Sequence, residues 1–253
     1  MSKIPKIIHQ VFFSTQAVIP EHYCRYSQTV KEHHRHWEYV VWDETKSRKF
    51  IEENYSWFLS VFDSYRYPIQ RIDSIRYFIL YHYGGFYMDM DIECLKPIDD
   101  LLEDFELVLS QAFNSYSNTV IGSVPGYPLW LEVFELLKKR QDSSVLSSRF
   151  FLKNSMPYYI NYSTGPILLS DCVVKGRFSE RPEVRICPGY IFEPDTPREI
   201  NGKFLKLEDK TESYTIHHMT THWLPWYEKI LSQIFKVLVK PYWSLRSWKY
   251  LNK

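Results

Sequence analysis

The 253-residue chain, 45% hydrophobic and 24% charged, has the composition of an ordinary globular protein and the length of one large domain with room for a small appendage. A formal net charge of +1 argues against general nucleic-acid binding, and an aromatic content of 17% suits either an aromatic-rich core or a surface for flat sugar faces and bases. The four cysteines (Cys24, Cys94, Cys172, Cys187) are far apart and form no CxxC pair, so reduced thiols are expected rather than a disulfide framework or zinc site.

Lys6 to Phe13, rich in Ile, Val and Phe, predicts a buried first strand. No leader peptide is expected before it, and no apolar run reaches the length of a membrane-spanning helix, so a cytoplasmic protein is expected. A polar, helix-prone stretch with His33, His34 and His36 follows. It is expected to be a solvated helix end rather than a metal tract, because no Cys or carboxylate cage accompanies it. Glu38 to Asp43 predicts a second strand, residues 47–64 an amphipathic helix, Asp73 to Tyr83 a further helix and Glu106 to Ser110 another strand. Gly126-Tyr127-Pro128 leads into a helix through Leu137, with Lys138, Lys139 and Arg140 where cations complement the helix dipole. Pro166 occupies the first turn of a short helix that closes near Gly176. Short strands are expected around residues 184–192 and at Tyr214 to His217. Strands alternating with helices in the first half indicate an α/β sheet.

The most informative stretch is Gly84-Gly85-Phe86-Tyr87-Met88-Asp89-Met90-Asp91. The glycine pair stops the preceding helix. The strand-like run after it puts Phe86, Met88, Met90 and Ile92 on one face and Tyr87, Asp89 and Asp91 on the other. Two such carboxylates, about 7 Å apart at Cα, suit one divalent cation with open positions for substrate phosphates. One helix upstream, Asp73 and Arg76 share a helix face, which alone would describe a surface ion pair.

As an ordered set, several segments resemble the retaining glycosyltransferases of family 32, relatives of yeast-type initiating mannosyltransferases and bacterial capsule enzymes. They are Ile4-Pro5-Lys6-Ile7-Ile8-His9-Gln10, Tyr39-Val40-Val41-Trp42-Asp43, Asp73-Ser74-Ile75-Arg76-Tyr77, the Gly84–Asp91 stretch, Thr164-Gly165-Pro166, and Ile216-His217-His218 with Trp223. The resemblance covers residue 4 to about 224 and implies a GT-A fold, a Rossmann-like mixed sheet flanked by helices, over residues 1–223. It further implies a Mn²⁺ or Mg²⁺ ion, a nucleotide-sugar donor (a UDP-sugar ahead of GDP-mannose), a glycan or lipid-linked glycan acceptor as in capsule polysaccharide synthesis, and an α-linked product from an α-linked donor.

The resemblance also implies roles. Asp91 is expected to ligate the metal directly, with Asp89 reaching the metal or the ribose. Asp73 and Arg76 would touch donor hydroxyls. His9 and Gln10 close the first strand where base or ribose would lie, and Tyr87 either lines the pocket or packs as an ordinary strand tyrosine. Because His217 and His218 are adjacent on a strand, only one should face the site. The family pattern favours His218 as metal ligand or diphosphate contact, with His217 the alternative. In one departure from that pattern, Thr221 and His222 stand where a small residue and serine usually precede Trp223.

Residues 224–253 carry Lys229, Lys236, Lys240, Arg246, Lys249 and Lys253 against Glu228 alone, with apolar residues at helical spacing and Trp243, Trp248 and Tyr250 after Pro241. This reads as a basic amphipathic helical tail, either packed on the domain or resting on an anionic membrane at its inner face. Three other functions share parts of the pattern: a toxin-like protein glucosyltransferase, a nucleotide-sugar binder without turnover and a metal-dependent nucleotidyltransferase.

Overall fold

The computed structural model describes residues 3–13, 18–112, 115–141, 156–195, 198–200, 203–205 and 210–220. At its centre lies a six-stranded mixed sheet of β1 (Ile7–Val11), β2 (Glu38–Trp42), β3 (Gly85–Met88), β5 (Leu107–Ala112), β6 (Ser115–Ser123) and β7 (Val184–Cys187), in the order β2-β1-β3-β6-β5-β7. β1 runs parallel to β2 and β3, β6 is antiparallel to both its neighbours, and β7 runs parallel to β5. A two-stranded antiparallel ladder pairs β4 (Ile92–Cys94) with β10 (Thr215–His217), and a second hairpin pairs β8 (Arg198–Ile200) with β9 (Lys203–Leu205).

Both faces of the sheet are covered. On one face Val11, Trp42, Tyr87, Leu109 and Ile121 pack against α2 (Glu44–Asn54), α3 (Ser56–Ser64), α4 (Pro68–Tyr83), α5 (Leu129–Arg140) and α7 (Pro166–Lys175), with α6 (Met156–Ser163) beside α7. On the other, Ile8, Phe86, Met88, Val108 and Val120 pack with Val30 of α1 (Glu21–His33). The strand alternation read from Phe86, Tyr87 and Met88 therefore holds, and all three are fully buried. At about 1.5–3 kcal/mol for each large apolar side chain, this short strand anchors the sheet centre.

α4 is the central helix. Its start is set by Pro68 and by Gln70, whose Oε1 accepts from the Tyr67 N–H at 3.1 Å. Its end is set by Gly84 and Gly85, with φ of 65° and 91°. A Cβ at Gly85 would lie 2.5 Å from the carbonyl oxygen of Ile7, so the turn into β3 requires glycine on both counts. Residues 73–80 are buried without interruption, so Asp73 and Arg76 lie inside the protein and not on its surface.

Two expectations change in the structure. The helix read over residues 47–64 is two helices, broken at Tyr55, whose ring is buried between Phe50 and Phe78. The histidine-rich stretch is not simply a solvated end. His34 is buried, its Nδ1 bonds the Val30 carbonyl at 2.8 Å, and its Nε2 accepts from the Ile98 N–H at 3.2 Å. Among the described residues no helix is long and apolar enough to cross a membrane. The basic stretch 224–253 lies outside the described residues.

Candidate active site

The Asp-x-Asp segment begins where β3 stops. Asp89, Met90 and Asp91 form a turn closed by the Ile92 N–H bonding the Asp89 carbonyl at 3.1 Å, so the carboxylates converge through a bend and not along a strand face. Three elements pin this turn by its backbone. The Asp89 N–H donates to the Thr119 carbonyl (2.9 Å), Gln10 Nε2 donates to the Asp89 carbonyl (3.1 Å), and the His218 N–H donates to the Asp91 carbonyl (3.0 Å).

Beneath Asp89 lies Arg76, only 2% exposed. Its guanidinium donates to Asp73 Oδ1 at 2.6 Å and to the Asn118 carbonyl, lies 3.2 Å from Asp89 Oδ1 and stacks 4.4 Å from the centre of the Tyr87 ring. Burial opposes its charge, but the carboxylates of Asp89 and Asp73 outweigh that and keep it a cation. Asp73 also accepts from Asn118 Nδ2 (3.2 Å) and Thr164 Oγ1 (3.2 Å), which is how the Thr164-Gly165-Pro166 segment joins the site. A buried pair of this kind is costly to desolvate and survives because every oxygen is satisfied. Asp73 and Arg76 are the pair that the resemblance places at the donor hydroxyls. Both are enclosed and committed to one another, and they hold Asp89 from below.

Tyr87 is fully buried, and its hydroxyl donates to Asp89 Oδ1 at 2.5 Å. It is a packed strand tyrosine that also orients a site carboxylate. Burial pushes Asp89 up to about 6 against the pull of Arg76, with the neighbouring charge of Asp91 adding to the rise.

Asp91 is 8% exposed and accepts from both the Thr220 N–H (2.8 Å) and the Thr220 hydroxyl (2.9 Å) through Oδ2. Its Oδ1 lies 3.4 Å from His217 Nε2. Burial works against its charge, yet His217 and the Thr220 donors hold its carboxyl below the ordinary range. Burial lowers the basicity of His217, but Asp91, Glu193 and Asp89 surround the ring with negative charge, and its pKa is pushed up to about 9.

Of the two adjacent histidines, the structure brings His217 and not His218 to the carboxylates. β10 pairs with β4 in the register His217↔Ile92, which turns His217 inward. His218 faces the other way, with Nε2 2.8 Å from Glu93 Oε2 and its ring stacked on Tyr26 at 4.1 Å. One donor atom each from Asp89, Asp91 and His217 lies within 4.8 Å of the others. Two carboxylate oxygens and an imidazole nitrogen form a donor set that suits Mn²⁺, with Mg²⁺ preferring oxygen alone.

His9 and Gln10 do not face this cluster. His9 is 2% exposed and held neutral by burial, which lowers its pKa to about 4. Its Nε2 bonds the Gly84 carbonyl (3.0 Å) and its Nδ1 accepts from Trp42 Nε1 (3.3 Å). Gln10 is fully buried, donating to Asp89 and accepting from Ser27 and Tyr39. Where the resemblance implies base or ribose contact, the polar groups of both residues bond inside the protein and support the turn. Trp223, together with Thr221 and His222, lies outside the described residues.

Sequence reasoning missed Thr220, Asn118, Glu193, Ser117 and Thr119. The last two sit in β6 and donate to Glu193 Oε1 at 2.5 and 2.9 Å. Their polarity broke the apolar pattern that would have announced β6, and that interruption was itself the available signal.

A family model described as a glycosyltransferase sugar-binding region containing a DXD motif matches residues 20–107. Over 199 residues the chain is 38% identical to inositol phosphoceramide mannosyltransferase 1 of Schizosaccharomyces pombe, covering 76% of this chain and 58% of that protein. It is 40% identical over 172 residues to mannosyl phosphorylinositol ceramide synthase CSH1 of Saccharomyces cerevisiae, covering 66% and 42%. Against an uncharacterized glycosyltransferase, L373 of Acanthamoeba polyphaga mimivirus, identity is 32% over 178 residues, covering 66% and 71%. The chain thus spans between 42% and 58% of the two yeast proteins. Among solved structures, the UDP-bound glycosyltransferase domain of the YGT toxin matches with a TM-score of 0.51 at 8% identity, covering 72% of this chain and 79% of that one. The likeness is one of fold and bears out the GT-A expectation.

Proposed function

Because this chain belongs to the glycosyltransferases whose sugar-binding region carries a DXD motif, we propose that it transfers a hexosyl group from a nucleotide sugar to a hydroxyl acceptor at the Asp89–Asp91–His217 cluster. The observation that carries this reading is the convergence of those three side chains at the carboxyl-terminal end of β3, where open α/β sheets bind nucleotides. Asp89, Asp91 and His217 would hold a divalent cation. When bound, such a cation stabilises the negative charge on a departing diphosphate as a Lewis acid. The chain's own residues do the positioning: Arg76 and Tyr87 fix Asp89, Thr220 fixes Asp91, and Gln10 fixes the turn between them.

The names of the yeast relatives weigh toward mannose as the transferred sugar, hence toward GDP-mannose, the second of the two donors named from the sequence. Those names also favour a lipid-borne acceptor, in keeping with the basic, aromatic composition of residues 224–253. Retention of anomeric configuration is the course that the family resemblance supports.

The test is release of nucleoside diphosphate from a panel of GDP- and UDP-sugars with and without Mn²⁺, with a soluble inositol glycoside as trial acceptor. Mn²⁺-dependent release, strongest with GDP-mannose, is the expected result. Binding without release would instead identify a nucleotide-sugar binder, and pyrophosphate from a nucleoside triphosphate would identify a nucleotidyltransferase. Co-sedimentation with anionic but not neutral liposomes is expected of the full chain. Equal, salt-insensitive recovery in both supernatants would overturn the membrane reading.

A further inference from the structure

Glu193 is a carboxylate that the reading above does not use. It lies 5% exposed just after a short 3₁₀ turn, Gly189–Ile191, and its own N–H is tied to the Gly189 carbonyl at 2.7 Å. Its Oε1 accepts from two hydroxyls of β6, Ser117 at 2.5 Å and Thr119 at 2.9 Å, whose own oxygens lie 2.8 Å apart. On its other side the same oxygen faces Nδ1 of His217 at 3.8 Å, while Nε2 of that ring points to Asp91 Oδ1 at 3.4 Å. The imidazole is therefore set between two carboxylates, one on each ring nitrogen.

This order has a chemical consequence. An imidazole can give only one nitrogen lone pair to a cation, and the other nitrogen then carries the proton. A buried carboxylate facing the far nitrogen selects which one ligates, aims the ring and raises the electron density it offers. Hydroxyls from a central strand keep that carboxylate from turning away, and both belong to the strand that receives the Asp89 N–H through the Thr119 carbonyl. The two ends of the cluster are thus referenced to the same strand.

We propose that Glu193 is a positioning residue for the metal centre: it holds the proton of His217 on Nδ1, presents Nε2 to the cation, and is itself aimed by Ser117 and Thr119. The proposal rests on the reading of Asp89, Asp91 and His217 as ligands, and the experiment separates the two.

Mn²⁺ affinity of the full chain is measured without substrate, from the electron paramagnetic resonance signal of free Mn²⁺, for the wild type, Glu193→Gln, His217→Ala and the double variant. Glu193→Gln keeps the shape and an acceptor for both hydroxyls but removes the charge. The expected result is a 10- to 100-fold weaker affinity, on the order seen for outer-shell partners of metal ligands. The double variant should be no weaker than His217→Ala alone, since a residue that acts through another has nothing left to act on. Wild-type affinity in Glu193→Gln, or losses that multiply in the double variant, would overturn the role of Glu193 while leaving the metal site standing. Wild-type affinity in His217→Ala, or no binding by the wild type, would overturn both. If Glu193→Gln fails to fold, Thr119→Val is read the same way: a smaller loss in the wild-type background and none in His217→Ala supports the proposal, and equal losses in both overturn it.

Discussion

Thr220 donates twice to one oxygen of Asp91, through its backbone N–H at 2.8 Å and its hydroxyl at 2.9 Å. The same hydroxyl lies 2.8 Å from the hydroxyl of Tyr23 on α1, so the carboxylate is reached from a helix near the start of the chain as well. Both donors use Oδ2, which leaves Oδ1 facing His217 and the interior of the cluster. Thr220→Val removes the charged hydrogen bond to Asp91 and the partner of the Tyr23 hydroxyl without changing the shape. A loss of about 1.5–3 kcal/mol in unfolding free energy is expected from urea titration, together with weaker Mn²⁺ binding. An unchanged Mn²⁺ affinity would show that Asp91 needs no such orientation.

Asp91→Asn is expected to reduce turnover about a hundredfold or more while leaving the circular dichroism spectrum unchanged, because it removes a ligand charge from a site built to hold charge. Asp89→Asn should be nearly as severe, and it also leaves Arg76 one carboxylate short. Either variant retaining more than roughly a tenth of wild-type activity at saturating Mn²⁺ would remove the carboxylate pair from the mechanism.

Arg76→Ala should be damaging even before activity is measured. Removing one partner of a buried pair leaves the other uncompensated, at a cost of about 3–5 kcal/mol, and here both Asp73 and Asp89 lose their cation. Arg48→Ala, which breaks an exposed pair with Asp63, is the control and should leave the urea midpoint unchanged. Similar midpoints for the two variants would contradict the enclosure of Arg76.

His9 gives a stability signature in acid. Its folded pKa of about 4 lies below the unfolded value of 6.5, so its contribution is fully present above pH 6.5 and is lost as the pH falls toward 4. Between pH 7 and 4.5 the wild type should lose about 2–3 kcal/mol more than a folded His9→Gln variant does. Equal losses in urea titrations at the two pH values would mean that His9 is protonated as easily folded as unfolded.

The parts of this architecture that follow a simple period were readable. β1, α5 and α7 appear where apolar spacing and, for α7, a first-turn proline put them, whereas α4 ends at the glycine pair as read but begins at Pro68 instead of Asp73, and β3 stops at Met88 instead of running through Asp91. The same reasoning could say that only one of His217 and His218 faces the site. Which one depends on the β4–β10 register, a relation between segments that no local pattern encodes. His9 and Gln10 illustrate a different limit. A polar pair at a strand end looks the same whether its side chains meet a ligand or the protein's own backbone, and only their partners, Gly84, Trp42, Asp89 and Ser27, decide. Glu193 had no signal of its own, because its meaning comes from β6 and β10.

The ladder between β4 and β10 also joins distant parts of the chain. Asp91 and Thr220 are 129 positions apart, and joining them closes a loop that includes β5, β6, α5, α7 and β7. Closing an unstructured loop of that length would cost on the order of 4 kcal/mol in chain entropy, and pairing of β6 with β3 and of β7 with β5 shortens the loop and lowers that cost. The sheet around β3 can assemble from earlier contacts, but the imidazole and the Thr220 donors arrive from the far end of the loop. The paired aspartates are therefore an unfinished centre until the β4–β10 ladder forms, and a cation held there as proposed would report closure of the domain.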